Sequence, residues 1–499
     1  MITWPSVHRR LLLGMAGLST VTLPFATRAR ESRPLRRAKV ETSTSKVWTE
    51  FFKGQRIWAY ADRVSLNPGE PLNLMMSVGP AQANRRVRLE VFRLGAKGED
   101  RIWTSDFADV KYQGATASAA AIGPGWPATF ADIDTRSWPP GVYSCDVVEQ
   151  TTATRDVRAA QWIVKNPKRS GAVLVRLGTN TWQAYNDWGG YDLYPDGDDD
   201  DTRGLIVSFD RPTPPAVYEY EAYLITWLEG LAGSLGGIDY ASNFDIHADP
   251  KYLDPYPLVI TGSHDEYWSR QEVDAFDRRI FKLGRNTAFF GANTAYCQIR
   301  YGDMNAPDGA APQGRQIVCY KTAADPIVLR ASPKDSGLVA TSLFRAGARR
   351  PETMLTGGGF QSWFEPTTAQ RPAYRVARND LPFFAGTDWK VGDVAADVIG
   401  YEWDNRDPDG DGKRLWDPVR SHNAQLDEAD ISVLFHGDAV DVDGKLGRAE
   451  ASYFRSKAGA QVFNAGTIRW AWGLGKPGFV NPAFLRFNEN LVRVLAKRR

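Results

Sequence analysis

The stretch "TGSHDEYWS", residues 261–269, sets His264, Asp265, Glu266 and Tyr267 side by side. All four side chains can bind a metal or move a proton, and they follow the apolar run "PLVITG" at 257–262. Asn293, in "FFGANTAY", and Tyr185, in "NTWQAYNDWGG", each lie past an apolar run of their own. A lone tyrosine or asparagine in a loop is more often packing or turn chemistry. These residues gain weight only if the fold brings their loops to one place.

Short, nearly all-apolar runs suit strands buried on both faces of a parallel sheet, and "AVLVRLG" (172–178), "PLVITG" and "TAFFGA" (287–292) fit that description. "LIVSFD" (205–210) is a further candidate strand. Between them, "VYEYEAYLITWLEGLAG" (217–233) repeats Tyr220, Leu224, Trp227, Leu228 and Leu231 at helical spacing. A second helix opens on the capping box Ser269 and Glu272, buries Val273, Phe276, Ile280 and Leu283, and stops at Gly284. Strand, helix, strand in this order predicts an α/β domain over residues 170–499 with a mostly parallel sheet flanked by helices. Such sheets gather ligand sites at the carboxyl ends of their strands. His264, Glu266, Asn293 and Tyr185 all fall at that edge. Asp265 reads as a helix cap or a partner of Arg270.

Residues 45–165 carry a different pattern. "RVRLEVFRLG" (86–95) alternates apolar and polar side chains, "GVYSCDVVEQ" (141–150) follows Pro-Pro, and "LNPGEP" (66–71) is a turn. Short strands so spaced predict an N-terminal β-sandwich. The linker "KNPKRSG" (165–171) ends it. Residues 1–35 read as a signal peptide of twin-arginine type, with Arg9-Arg10 ahead of the apolar run 11–23. That predicts a periplasmic or secreted protein exported already folded.

Composition narrows the partners. A net charge of +2 with no basic stripe beyond the N-terminal segment argues against nucleic acid. No later segment approaches the roughly 20 apolar residues of a membrane span. Cys145, Cys297 and Cys319 cannot all pair within the chain, and no Cys-x-x-Cys spacing suggests a thiolate metal site. "DPDGDGKR" places Asp407, Asp409, Asp411 and Gly412 like the start of a calcium loop, but the twelfth position is Pro418, so an Asp/Gly turn is the better reading. The acidic run "DGDDDD" (196–201) reads as a solvated loop. Neither a Gly-x-Ser-x-Gly elbow nor a Cys-His arrangement is present to support a serine or cysteine nucleophile.

"NTWQAYNDWGGYDLY", "LVITGSHDEYWS", "FFGANTAY", "VIGYEWD" and "VFNAGTIRWAWGLG" resemble the large subunit of N,N-dimethylformamidase and its relatives, in order from about Tyr60 to about Leu495. The resemblance implies a glutamine-amidotransferase-like core and a mononuclear iron held by two tyrosines and a glutamate. By motif, the glutamate is Glu266 and one tyrosine Tyr185, with Tyr267 its rival. The second tyrosine, expected from the end of the sandwich, is Tyr143 in "PPGVYS". Phenolate and carboxylate are hard anionic oxygens, and three of them balance the charge of ferric iron. His264 and Asn293 are then expected to donate hydrogen bonds to a carbonyl or to orient a water, and Glu402, in "GYEWD", to move protons. The structural alternative for Glu402 is a pair with Arg406 or Lys413. His422 and His436 gain no role from the resemblance. The larger relatives carry an extra N-terminal lectin-like domain for which 499 residues leave no room, and a small partner subunit or self-association remains open. The implied function is hydrolysis of a small amide. The competing reading is an exported, non-catalytic carbohydrate-binding protein whose Trp182, Trp188 and Trp268 stack on sugars.

Overall fold

A computed structural model describes residues 56–497 apart from 81, 116–117, 195–202, 214–215, 220, 303–314, 322–324, 333, 367–368 and 410–430. Residues 1–35, the acidic run 196–201, Asp411, Gly412, Lys413, Pro418 and His422 therefore lie outside the described residues.

Alternation of apolar residues builds the first part of the chain. Strands Ile57–Ala61, Leu72–Val78 and Ala128–Ile133 form one sheet, and a six-stranded sheet includes Arg85–Gly95, Gly141–Glu149 and Arg155–Val164. Their facing side chains, among them Leu74, Met76, Leu89, Val91, Val147 and Trp162, share one buried core. Gly141–Glu149 is buried along its whole length because its other face is covered too. There Tyr218 donates to Ser144 Oγ at 2.8 Å, and Arg93 pairs with Glu229 of the helix Glu221–Leu235 at 2.7 Å.

The apolar runs after residue 170 become the parallel half of a nine-stranded sheet. Ile238–Ser242, Val173–Leu177, Leu258–Thr261, Asn286–Phe289 and Gln461–Asn464 lie side by side in that order, all parallel. The other half is antiparallel, continuing through Leu446–Arg455, Ser432–Val440, Tyr374–Val376 and Val394–Ala396. The sheet is thus mixed rather than mostly parallel. Ile206–Ser208 joins a separate four-stranded sheet with Gln316–Val318, Cys297–Tyr301 and Tyr267–Ser269. The whole is β-rich, with several sheets and few helices.

Two helices depart instructively from their predicted stripes. The capping box at Ser269 forms as expected: its side chain accepts from Glu272 N–H, and Glu272 accepts from Ser269 N–H. Past Asp277 the helix widens into a π-turn, Arg278–Lys282. A π-turn takes one residue more per turn, so the buried position moves on. Phe281 is buried, and Leu283 ends up 39% exposed instead of inside. In the helix Glu221–Leu235, Leu224, Ile225 and Leu228 are buried while Trp227 and Leu231 are only half-buried. Glu221 also faces inward, where burial pushes its pKa up to about 8.

Candidate active site

The carboxyl ends of the central parallel strands carry the functional loops. Val173–Leu177 runs into the short helix Thr179–Ala184, which Tyr185 terminates. Leu258–Thr261 leads to His264 and Glu266, and Asn286–Phe289 leads to Asn293. A bridge between His264 and Ala292 extends the parallel pairing beyond the strands. That approach demands a glycine: a Cβ at Gly291 would lie 2.0 Å from the Ser263 carbonyl oxygen. Glu266 N–H donates to Thr181 Oγ1 at 2.9 Å, which ties the glutamate loop to the helix before Tyr185.

Tyr185 donates to Glu266 Oε2 at 2.7 Å. The second phenol beside that carboxylate is Tyr194. Its hydroxyl lies 2.7 Å from Glu266 Oε2, 2.9 Å from Oε1 and 2.6 Å from the Tyr185 hydroxyl, and the two rings stack with centroids 4.5 Å apart. Gly189 and Gly190, at φ 94° and 109°, turn the chain back between the two tyrosines. Such left-handed angles are cheap only for glycine. Leu193 N–H then donates to the Ala184 carbonyl, and Tyr194 N–H to Asp192 Oδ1 at 2.7 Å. Sequence reasoning missed Tyr194, although the Gly-Gly turn inside "YNDWGGYDLY" is the local signal for it.

Tyr143 does not reach this cluster. It is held inside the sandwich, where its hydroxyl donates to the Pro139 carbonyl at 2.6 Å and its ring stacks on Trp138 and Trp162. A phenol so occupied cannot supply the second oxygen beside Glu266. Tyr267 is closer but one step removed, donating to Tyr194 at 2.8 Å. Burial, with Glu266 and Tyr194 beside it, holds its pKa well above the ordinary phenol value, which keeps it a donor.

His264 and Glu402 also stand beside Glu266. His264 Nε2 lies 3.2 Å from Glu402 Oε2 and 3.5 Å from Glu266 Oε2, though neither contact is aligned as a hydrogen bond. Tyr401 sits 3.1 Å from His264 Nδ1. Burial works to lower the His264 pKa, but Glu402 and Glu266 outweigh it and hold it up at about 9. Asn293 Nδ2 donates to Glu402 Oε2 at 2.9 Å, and Asn293 N–H to Asp404 Oδ1 at 2.8 Å. Asn293 adopts φ 55°, a left-handed angle that asparagine tolerates better than most residues. Glu402 does not pair with Arg406, which binds Glu450 instead. His436 is half-buried on Ser432–Val440, away from these groups. Asp409 pairs with Arg345 at 2.8 Å.

Asp265 neither caps the helix nor meets Arg270, which pairs with Asp274. It forms a two-pronged pair with Arg176 at 2.5 Å, both side chains fully buried, and the guanidinium lies over the Trp268 ring. Removing one member of such a pair strands a buried charge. Asp265→Asn is therefore expected to cost about 3–5 kcal/mol of folding stability. Urea unfolding measures it, and a loss below about 1 kcal/mol would show that the pair is not holding these strands.

All three cysteines are buried and free. Among the described residues, no group of three or more His, Cys, Asp or Glu side chains is arranged to hold a metal. The oxygens that converge are two phenols and one carboxylate. Trp188 and Trp268 are fully buried and Trp182 nearly so, which leaves no open ring face at the first two for a sugar. No helix among the described residues is long and apolar enough to cross a membrane.

A β-rich protein with a mixed nine-stranded sheet brings two phenols, a carboxylate and a His–Glu pair together beside the ends of its parallel strands. The chain belongs to the N,N-dimethylformamidase beta subunit-like family, whose C-terminal model matches residues 88–482, well over half of the chain. No curated protein matches it significantly.

Proposed function

We propose that the protein hydrolyses small amides at this site, with an iron held by Tyr185, Tyr194 and Glu266. The observation that carries the reading is the triangle of oxygens. Tyr185, Tyr194 and Glu266 Oε2 stand 2.6–2.7 Å from one another. Three oxygens held this close by hydrogen bonds would be the groups to hold a small hard cation in place of the shared protons. The donor set fits ferric iron, since two phenolates and one carboxylate balance its charge. Two buried polar atoms beside it, His264 Nε2 and Asn293 Oδ1, have no hydrogen-bond partner, as befits a site completed by a bound group. When bound, iron supplies Lewis acidity to an amide carbonyl.

The chain's own groups then divide the proton work. His264, braced by Tyr401, presents Nε2–H to the carbonyl oxygen as charge develops on it. Glu402, steadied by Asn293, takes a proton from the attacking water. The water oxygen bonds to the carbonyl carbon, the C–N bond breaks, and Glu402 returns the proton to the leaving nitrogen, giving a carboxylic acid and an amine. The reading extends to a glutamine-amidotransferase-like core, supported by the five adjacent parallel strands, three of which lead into the site at their carboxyl ends. It extends also to export by the twin-arginine route, supported by Arg9-Arg10 and the run after them. Association with a small subunit is supported by the family's description as beta subunit-like.

Metal analysis tests it before any substrate is known. Protein purified from iron-supplied cytoplasm should carry about one iron per chain and a visible phenolate-to-metal absorption. Folded protein that stays colourless and metal-free when offered ferric iron would sink the proposal.

A further inference from the structure

Lys321 follows the strand Gln316–Val318 and brings a cation to the phenols. Its ammonium lies 3.6 Å from the centroid of the Tyr194 ring and 5.3 Å from that of Tyr267. The backbone is fixed at that point. Lys321 adopts φ 56°, a left-handed angle unfavourable for a lysine, and its N–H donates to the Thr341 carbonyl at 2.6 Å. Tyr320 N–H donates to Thr341 Oγ1 at 2.8 Å, so two successive amides are anchored on one threonine. Thr341 in turn donates to Asp325, which Arg300 holds. The ammonium is thus delivered by a braced turn rather than by a loose surface side chain.

A cation on an aromatic face is attracted by the negative charge of the π-system. That attraction grows when the ring belongs to a phenolate, because part of the oxygen's charge is delocalised into the ring. A cation 3.6 Å from the centroid therefore favours the anionic form over the neutral one and draws electron density from the oxygen. Tyr185 has a different neighbour, with the His264 ring 5.0 Å from its own. Both phenols beside Glu266 thus have a cationic neighbour, and they differ in that the lysine ammonium stands nearer its ring, over the face, while the imidazole is tilted at 51°.

We infer that Lys321 is a positioning residue for the metal site, acting through Tyr194. It stabilises that phenol as an anionic ligand, makes it the weaker electron donor of the two, and sets the energy of its charge-transfer absorption. This rests on the iron reading above. Nothing in the amide chemistry requires contact between Lys321 and substrate.

The test compares iron-loaded wild-type protein with Lys321→Met and Lys321→Arg, using absorption spectra and iron retention against a chelator. Removing the cation raises the phenolate's occupied orbitals, so Lys321→Met should move the band to longer wavelength and weaken retention about 10-fold, the scale of groups behind metal ligands. Lys321→Arg, which restores a cation over the ring, should return the band towards its wild-type position. In a Tyr194→Phe background, Lys321→Met should add nothing to the loss of iron or to the displacement of the band that Tyr194→Phe causes by itself. Lys321→Gln carries the same expectation if the methionine variant does not fold. An iron-loaded wild type whose band neither substitution moves overturns the role of Lys321 alone. A wild type that takes up no iron overturns both readings.

Discussion

Tyr194→Phe is expected to strip the protein of iron or displace its visible band, whereas Tyr143→Phe should leave both unchanged. The contrast separates two phenols that compete for one role. Tyr194 places its oxygen 2.7 Å from Glu266 Oε2 and 2.6 Å from the Tyr185 hydroxyl, so phenylalanine removes one corner of the oxygen triangle. Loss of a direct ligand should exceed the roughly 10- to 100-fold cost of losing a group behind one. Glu266→Gln belongs with it, since a neutral amide replaces an anionic oxygen shared by both phenols. Tyr143 instead donates to Pro139 inside the sandwich, and its replacement should cost about 1 kcal/mol of stability for one hydrogen bond. Iron per chain and the absorption spectrum decide the matter. A Tyr143→Phe protein that is folded yet colourless, beside a coloured Tyr194→Phe protein, would reverse the assignment.

Why Tyr194 is not legible beside Glu266 follows from what local sequence can carry. Apolar runs such as 172–178 and 257–262 mark buried parallel strands, and the edge where His264, Glu266, Asn293 and Tyr185 meet follows from strand order alone. Tyr194 depends instead on a turn. Gly189 and Gly190 reverse the chain, and only with that reversal built does the ninth residue after Tyr185 stack on it. Tyr143 was drawn in by a short motif, and nothing local reveals that its hydroxyl meets Pro139 four residues back.

Charge pairing was equally hidden. Asp265 precedes a helix and has Arg270 nearby in sequence, yet its partner is Arg176, inside an apparently apolar strand 89 residues earlier. An arginine amid valines and leucines is the signal, because a guanidinium at the centre of a sheet must find an anion. The last two strands of the nine-stranded sheet are illegible for another reason. Tyr374–Val376 and Val394–Ala396 are three-residue strands, too short to show a period. The π-turn after Asp277 shifted the buried face by one residue, which no helical stripe anticipates.

Glu402 is the residue whose proposed proton-carrying role its surroundings make testable. It is fully buried on the strand Glu402–Asn405, with His264 Nε2 3.2 Å and Asn293 Nδ2 2.9 Å from its Oε2. Arg406, the structural partner expected from the sequence, is engaged with Glu450 instead. Glu402→Gln keeps the shape and still accepts from Asn293, but it can no longer take up and return a proton. Turnover of a small amide should fall by a factor of roughly 100 to 10,000. Iron content and the visible band should survive, because Glu402 is not one of the three oxygen ligands proposed and the glutamine keeps the contact with Asn293. The loss should lie in kcat, with KM little changed, since the proton is moved in the transition state rather than in binding. If Glu402 only braced the fold, the glutamine variant would unfold at lower urea while its folded fraction hydrolysed amide at the wild-type rate, and the proton-carrying role would have to pass to His264.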